Sequence, residues 1–364
     1  MFSLKRPSLL NFVVRTQAED HNLRSIYKIG AFASENGLRK GLDRVDPVGL
    51  RTGFHRLWQR IKRLGILDTY RYWGRYLTVS IDGVAHFCSG SIRCAHCLER
   101  KHSNGQVGYH PAMLSAVLVH PGEQEVFVMD NEPIITQDGN RKNDCERSAA
   151  KRLLASMQAG YGKEWLVFVM DALYRCGPIL RVLLQHPRWQ YVIGIKPSGH
   201  PSLFRQFEGR DRRGQVHWVE WEKEGSTHRF GYTHRLALND SHNDLRVNML
   251  YYEQVDKQGK RQTFSWITSI CLTKANVEKV MRMGRARWKI ENETFNTLKN
   301  QGYHFEHNYG HGKQHLCSVF ALLMMLAFTV DQIQQHACTF FRKLWLTLKT
   351  QPSYGKTSGR LSKY

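Results

Sequence analysis

The stretch that decides the fold lies near the C-terminal end of the chain and reads Arg285-Ala-Arg-Trp-Lys-Ile-Glu-Asn-Glu-Thr-Phe-Asn-Thr-Leu-Lys299. It contains neither Pro nor Gly and is rich in helix-forming residues, so it predicts an α-helix. At about 100° per residue, Trp288, Phe295 and Leu298 fall on one side of this helix. The spacing therefore predicts a stripe of side chains that faces a hydrophobic core.

Glu291 is expected inside this stripe, because it follows Trp288 by one helical turn and precedes Phe295 by another. A carboxylate among aromatic and aliphatic side chains costs free energy unless its charge is compensated. Arg287 is spaced for an ion pair with Glu291, and a bound metal ion is the other candidate. The same pattern also fits an ordinary amphipathic core helix with a salt-bridged glutamate. Glu293 is expected to point away from the stripe into solvent.

The motif Arg-Trp-Lys-Ile-Glu, followed by Phe and Lys, resembles the third-carboxylate helix of bacterial insertion-sequence transposases. These are DDE enzymes with a ribonuclease H-like fold, in the branch marked by a Tyr-Arg-Glu-Lys signature. The resemblance implies that Arg287 is the signature arginine, Glu291 the catalytic glutamate and Lys299 the signature lysine. The signature tyrosine falls on Gly284, and Lys299 is one residue further from Glu291 than in the usual pattern.

Two predicted strands each carry an aspartate at the end. Residues Leu77–Asp82 alternate apolar and polar with period two, which predicts a half-buried strand with Asp82 at its tip. Residues Trp165–Asp171 are apolar almost throughout, as in a strand buried on both faces. Asp171 at the carboxyl end of such a strand lies where open α/β sheets bind their ligands.

A hairpin and a helix are predicted between these two strands. The hairpin runs from Met113 to Met129 with its turn at Pro121-Gly122. Asn143 can cap the helix that follows, and Glu146 three residues later completes a capping box.

The charge balance indicates a polyanionic partner. The 364 residues include 53 Lys+Arg against 31 Asp+Glu, a formal net charge of +22. Because the cations are spread along the chain, nucleic acid is favoured over a membrane surface. The longest apolar run, 316–330, is short for a membrane span and predicts a buried helix, and no secretory signal is evident. We expect a cytoplasmic protein, associated with the bacterial nucleoid.

The N-terminal region, residues 1–75, carries helical patterns and is a candidate DNA-binding region. Apolar residues recur at helical spacing from Leu50 to Leu64, and cations lie between them: Arg51, Arg56, Arg60, Lys62 and Arg63. This cationic face is either a solvated surface or a surface for DNA phosphates, and the overall charge favours the second interpretation.

A cysteine-containing loop is expected at residues 84–112. Cys94-x-x-Cys97 has metal-ligand spacing, and Cys88 or a histidine could complete four ligands. With no second Cys-x-x-Cys in the chain, a structural zinc site and free thiols both remain open, and no disulfide is expected.

The rest of the chain divides into a first core part at 76–196, a β-rich insertion at 197–266, a second core part at 267–336 and a basic C-terminal tail at 337–364. Trp218 and Trp221 in the insertion are either core residues or stacking platforms for unpaired bases. The histidines between 303 and 315, including His311, are interpreted as phosphate contacts or structural residues before metal ligands.

The transposase resemblance, which covers about 77–315, implies an α/β fold with a ribonuclease H-like mixed sheet flanked by helices. In that sheet the first and fourth strands are neighbours, which would bring Asp82 and Asp171 together, with Glu291 added from a helix. Three carboxylates suit Mg²⁺ or Mn²⁺.

The implied activity is metal-dependent DNA strand cleavage and strand transfer at transposon ends, on double-stranded DNA and as a homo-oligomer such as a dimer. Arg287, Lys299, Trp218 and Trp221 are candidate DNA contacts. The alternatives are a catalytically decayed or repurposed DNA-binding protein, and a metal-dependent nuclease of the same fold.

Overall fold

The computed structural model describes residues 1–6, 8–18, 21, 24–25, 28, 30–31, 33–94, 96–101, 103–139 and 142–348. The end of the expected basic tail, 349–364, and the expected cap by the Asn143 side chain lie outside what is described.

The core of the protein is one large mixed sheet. The strands are β1 (Arg71–Tyr72), β2 (Tyr76–Ala85), β3 (Leu98–Lys101), β4 (Val107–His110), β5 (Ala112–Val119), β6 (Phe127–Ile134), β7 (Leu166–Met170), β8 (Trp189–Ile195), β9 (His217–Lys223), β10 (Ser226–Ala237), β11 (Arg246–Val255) and β12 (Arg261–Thr268).

The strand order in the large sheet is β6-β5-β2-β7-β8-β12-β11-β10-β9. Strands β2, β5 and β6 are successive antiparallel neighbours, whereas β7 is parallel to both β2 and β8. The first long strand, β2, therefore lies between the hairpin of β5 and β6 and the parallel strands β7 and β8, which confirms the predicted ribonuclease H-like sheet.

The β-rich stretch extends the same sheet. Strand β12 pairs antiparallel with β8, and β11, β10 and β9 follow as an antiparallel meander. The short strands β3 and β4 form a separate two-stranded ribbon inside the cysteine loop.

Helices cover both faces of the sheet. They are α1 (Leu9–Ala18), α2 (Glu35–Asp43), α3 (Pro47–Arg63), α4 (Ile66–Tyr70), α5 (Lys142–Tyr161), α6 (Gly177–Leu184), α7 (Pro201–Asp211), α8 (Val277–Ala286), α9 (Asn296–Asn300), α10 (Leu316–Ala337) and α11 (Thr339–Leu348). Helices α5, α6 and α7 bury their apolar residues in one core cluster, and α8 and α10 bury theirs in a second cluster on the other face.

Helix α10 contains the long apolar run. It is long and apolar enough to cross a membrane, but 72% of its most apolar window is buried inside the molecule. It packs against α3 and β6, so it serves here as a core helix, as the sequence predicted.

Part of the cationic face of helix α3, in the N-terminal region, forms ion pairs with acidic residues of the protein. Phe54, Trp58 and Ile61 are its buried residues. Arg51 forms ion pairs with Asp130 and Glu132, and Lys62 pairs with Glu164, whereas Arg56, Arg60 and Arg63 are exposed.

Two local expectations were wrong. Asp82 does not end its strand, because β2 continues to Ala85. The stretch 285–299 is not one regular α-helix: α8 ends at Ala286, a π-helix follows at Ile290–Phe295, and α9 begins at Asn296.

Gly284 does not break the helix. It lies inside α8, where a Cβ atom would be 2.5 Å from Nε1 of Trp266, so the absence of a side chain allows close packing.

Candidate active site

Asp82 and Asp171 lie side by side on neighbouring parallel strands. The register pairs Ser80 with Val169, and the two aspartates each follow two residues later. Neighbouring strands are about 4.8 Å apart, so the two carboxylates can act on one ligand. Asp82 shares its face of β2 with Val84, which packs in the same cluster as Ile290 of the π-helix.

Backbone donors orient both aspartates. The N–H of Gly83 donates to Oδ1 of Asp82 at 2.9 Å, and the N–H of Leu173 donates to Oδ1 of Asp171 at 2.9 Å. Asp171 thereby caps the short 3₁₀ turn at Ala172–Tyr174. These bonds fix each carboxylate close to its own backbone.

Arg287 joins the last helix to the aspartate pair. Its guanidinium donates to Oδ2 of Asp82 at 2.8 Å, and its carbonyl accepts from the Ser80 hydroxyl at 3.1 Å. Both charged groups are largely buried, with side-chain exposures of 14% for Arg287 and 21% for Asp82. The expected partner of Arg287 was Glu291, so this part of the sequence interpretation was wrong.

A third carboxylate, which the sequence interpretation assigned only to helix capping, lies at the same site. Glu146 on α5 is buried, and its Oε1 accepts from the Tyr174 hydroxyl at 2.7 Å. A Cβ atom on Gly83 would lie 3.3 Å from its carboxyl carbon, so the glycine leaves room for its approach. The only signal in the sequence was a glutamate at the start of the helix that follows the hairpin.

The three carboxylates interact electrostatically. Burial raises the pKa of Asp82 to about 6, Arg287 acts against this rise, and Asp171 and Glu146 add to it. Asp171 and Glu146 place negative charge beside Asp82, and Arg287 opposes it. Clustered carboxylate oxygens are the donors that a hard divalent cation such as Mg²⁺ or Mn²⁺ prefers.

Glu291 lies on the π-helix, which packs against β2. Its side chain is exposed, whereas Glu293 is half-buried. Burial lowers the pKa of Lys289, and the nearby Glu293 carboxylate opposes this effect. Trp288 is 50% exposed, and Arg287 stacks on its ring at 4.3 Å. The expected burial of Trp288 and Glu291 and the expected exposure of Glu293 were therefore wrong.

The π-helix explains this difference. Its i→i+5 hydrogen bonds place an extra residue in the turn, so positions before and after it no longer follow one 100° wheel. Ile290, Thr294, Phe295, Thr297 and Leu298 form the buried side instead.

The other candidate DNA contacts have partners within the protein. Lys299 pairs with Glu306 at 2.9 Å. The indole N–H of Trp218 donates to Asp211 at 2.8 Å, and Trp221 stacks on Phe230 with ring centroids 4.7 Å apart. Both tryptophans are half-buried.

A groove of about 450 Å³ lies between the β-rich end of the sheet and α8. Its cationic lining residues are Lys223, Arg282, Arg285 and Lys289, with Trp221 and His228 beside them. It also contains Glu224 and Glu278, and the latter pairs with Arg282.

The sequence left either Cys88 or a histidine open as a further ligand beside Cys94 and Cys97. Cys94 and Cys97 lie with His311, whereas Cys88 is exposed and is not part of this group.

The chain is similar to a known protein family over more than half of its length. A family model described as a transposase DDE domain matches residues 96–329. The matched segment contains Glu146, Asp171 and Glu291 and begins after Asp82. No curated protein matches the chain.

Proposed function

Since the chain belongs to the family of transposases with a DDE domain, we propose that it cleaves and joins DNA strands at the ends of an insertion sequence. The observation that carries this proposal is the placement of Asp82 in β2 and of Asp171 directly after the adjacent parallel strand β7, with Arg287 bonded to Asp82 and Glu146 beside them. Asp82, Asp171 and Glu291 are the proposed catalytic carboxylates.

These carboxylates are the proposed ligands of Mg²⁺ or Mn²⁺. The placement of Glu291 is supported by Arg287, which lies one turn earlier and contacts Asp82. Bound divalent cations activate an attacking oxygen and stabilise the leaving oxygen of a phosphodiester. The protein contributes the backbone donors that orient the aspartates and the Tyr174 hydroxyl that orients Glu146.

The proposed reaction has two phosphodiester steps. In the first, a water oxygen bonds to phosphorus and the 3′ oxygen at the transposon end leaves as a hydroxyl. In the second, that 3′ hydroxyl attacks a phosphodiester of the target, whose own 3′ oxygen leaves. Neither step needs a covalent bond between protein and DNA.

Double-stranded DNA is the proposed partner, bound by a homodimer in the cytoplasm at the nucleoid. Support comes from the formal charge of +22 and from the cationic groove beside α8. Arg287 is assigned here to the carboxylate site, and the groove cations are better candidates for phosphate contacts.

The test is incubation of purified protein with labelled DNA that carries the ends of the encoding insertion sequence, in Mg²⁺, in Mn²⁺ and with chelator. We expect cleavage and joining only with metal, and loss of both in Asp82→Asn and Asp171→Asn. Binding without cleavage would favour a repurposed DNA-binding protein, and cleavage without joining would favour a nuclease.

Two neighbouring glutamates provide a matched pair for this assay. Glu291→Gln keeps the shape of the side chain but removes the charge, so it should retain DNA binding and lose cleavage by several orders of magnitude. Glu293→Gln, on the same π-helix, should leave both nearly unchanged. The opposite result would assign the third carboxylate to Glu293.

A further inference from the structure

Two cysteines and one histidine converge away from the carboxylate site, and a third cysteine lies nearby. The Sγ atoms of Cys94 and Cys97 are 3.3 Å apart, and Sγ of Cys97 is 3.6 Å from Nδ1 of His311. The ligand atoms of these three residues all lie within 4.8 Å of one another. Cys317, a buried residue at the start of α10, lies near the Cys94 thiol and is a candidate fourth ligand.

The distances fit a tetrahedral zinc ion better than a disulfide. With Zn–S bonds of about 2.3 Å and Zn–N bonds of about 2.0 Å, tetrahedral geometry separates two sulfurs by about 3.8 Å and sulfur from nitrogen by about 3.5 Å. A disulfide requires sulfurs about 2.05 Å apart. The observed 3.3 and 3.6 Å are close to the edges of a zinc tetrahedron.

The backbone around Cys94 and Cys97 is already shaped for a metal. The N–H of Cys97 donates to the carbonyl of Cys94 at 3.2 Å, and the N–H of Cys94 lies 3.4 Å from Sγ of Cys97. The first bond closes a tight turn and the second places a donor on the sulfur. Such a donor stabilises a thiolate, the form that binds zinc.

The site is largely shielded from water. Cys97, His311 and Cys317 are buried and Cys94 is half-buried. Phe87 packs edge-on against the His311 ring at 4.9 Å. Enclosed sites with four protein ligands are typical of structural zinc, whereas catalytic zinc keeps an open position.

We propose that Cys94, Cys97, His311 and Cys317 bind one structural zinc ion. The ion links the cysteine loop, which begins directly after β2, to the segment between α9 and α10 and to the first turn of α10. Both linked segments have little regular structure, and Gly310 and Gly312 flank His311 with φ of +101° and +68°. A zinc ion would therefore hold together two irregular segments that follow the strand and the helix of the carboxylate site.

The test begins with the metal content of the full chain. It is measured by elemental mass spectrometry after dialysis against a metal-free buffer. We expect about one zinc per chain in the wild type. Cys97→Ser and Cys317→Ser should lose most of it. Cys88→Ser, which removes an exposed thiol of the same loop, and Cys338→Ser should retain it. No zinc in the wild type, or equal zinc in Cys317→Ser and wild type, would overturn the proposal.

A measurement on the wild type covers the case in which the variants fail to fold. Cobalt added to the metal-free protein should give the absorption bands of a tetrahedral thiolate complex, and zinc should displace it. Zinc should also protect three thiols from a thiol reagent, with Cys88 still reactive. If Cys94 and Cys97 form a disulfide instead, the mass of the folded protein should be lower by two hydrogen atoms. The cobalt spectrum should then be absent. These readouts do not depend on DNA cleavage.

Discussion

Glu146 is the residue whose role changes most once the structure is considered. It is a buried carboxylate held by Tyr174, and it raises the pKa of Asp82 together with Asp171. Its carboxylate lies on the face of the sheet opposite Arg287 and adds negative charge beside Asp82, so it can contribute to cation binding.

We predict that Glu146→Gln weakens metal binding without removing the active site. Gln can still accept the Tyr174 hydrogen bond, but one negative charge is lost. Cleavage should then need a higher Mg²⁺ concentration, with a smaller loss at saturating metal than in Asp82→Asn. Tyr174→Phe is the control, because it keeps the charge and removes the orienting bond. An unchanged Mg²⁺ requirement in Glu146→Gln would limit Glu146 to a structural role.

The residue scale also shows where sequence reasoning fails. The convergence of Asp82 and Asp171 was predictable, because strand patterns and the fold implied by the resemblance place both at one sheet edge. The proposed ligand Cys317 was not predictable, since it lies in an apolar helix far along the chain from Cys94. His311 sits in a segment without a helical frame, so its spacing carried no geometric information.

At the scale of elements, the sequence predicted a helical segment around Glu291 but not which of its residues face the core. A helical wheel assumes one pitch throughout, and the π-helix at Ile290–Phe295 violates this assumption. The extent of β2 was underestimated, because the prediction ended this strand at Asp82. Gly83 remains in the strand and leaves space for Glu146.

Packing of α8 against the sheet depends on Gly284. A Cβ atom there would meet three indole atoms of Trp266 at 2.5 to 2.9 Å. We predict that Gly284→Ala destabilises the protein by about 1–3 kcal/mol, the usual cost of overpacking. Gly209→Ala is the control, because Gly209 is also helical and the nearest atom to its Cβ position is 3.9 Å away. That variant should be neutral or stabilising by about 0.5–1 kcal/mol. Urea unfolding of both variants measures the difference.

The start of α10 is held by a residue from another helix. Asp43, the last residue of α2, accepts from the N–H groups of residues 313–316 at 2.8 to 3.0 Å. Burial raises the pKa of Asp43, but these four backbone donors outweigh that effect and lower it overall. Asp43 therefore stabilises the fold fully above the pKa of an unfolded aspartate, about 3.9, and loses this effect as pH falls through its lower folded pKa.

We predict that Asp43→Ala costs about 0.5–2 kcal/mol at neutral pH, the usual effect of losing a helix cap. The difference from wild type should shrink as the pH falls below about 4, where wild-type Asp43 also becomes protonated. Urea unfolding at several pH values measures it, and Asp68→Ala, with a side chain that is 85% exposed, is the control. A difference that persists undiminished in acid would contradict the role of the charged carboxylate.

In the molecule as a whole, the two core clusters lie on opposite faces of the sheet. Helices α5 to α7 occupy one face of the sheet, while the π-helix, α8 and α10 occupy the face that carries Asp82. The cationic groove runs beside α8 on the face that carries Asp82.

Electrostatic binding of DNA is the last prediction and follows from the charge of +22. A protein that neutralises several phosphates releases counterions, so affinity should fall by about 10³ or more from 50 to 200 mM salt. Arg285→Ala removes a groove cation from α8 and should lower the slope of log affinity against log salt by about 0.9 for one lost phosphate contact. Arg181→Ala removes the same charge from α6 on the opposite face, where Arg181 pairs only weakly with exposed Asp244. If the groove binds the backbone, Arg285→Ala alone changes the slope. Equal slopes in both variants would mean that the +22 charge acts as a diffuse field and that DNA follows another path across the protein.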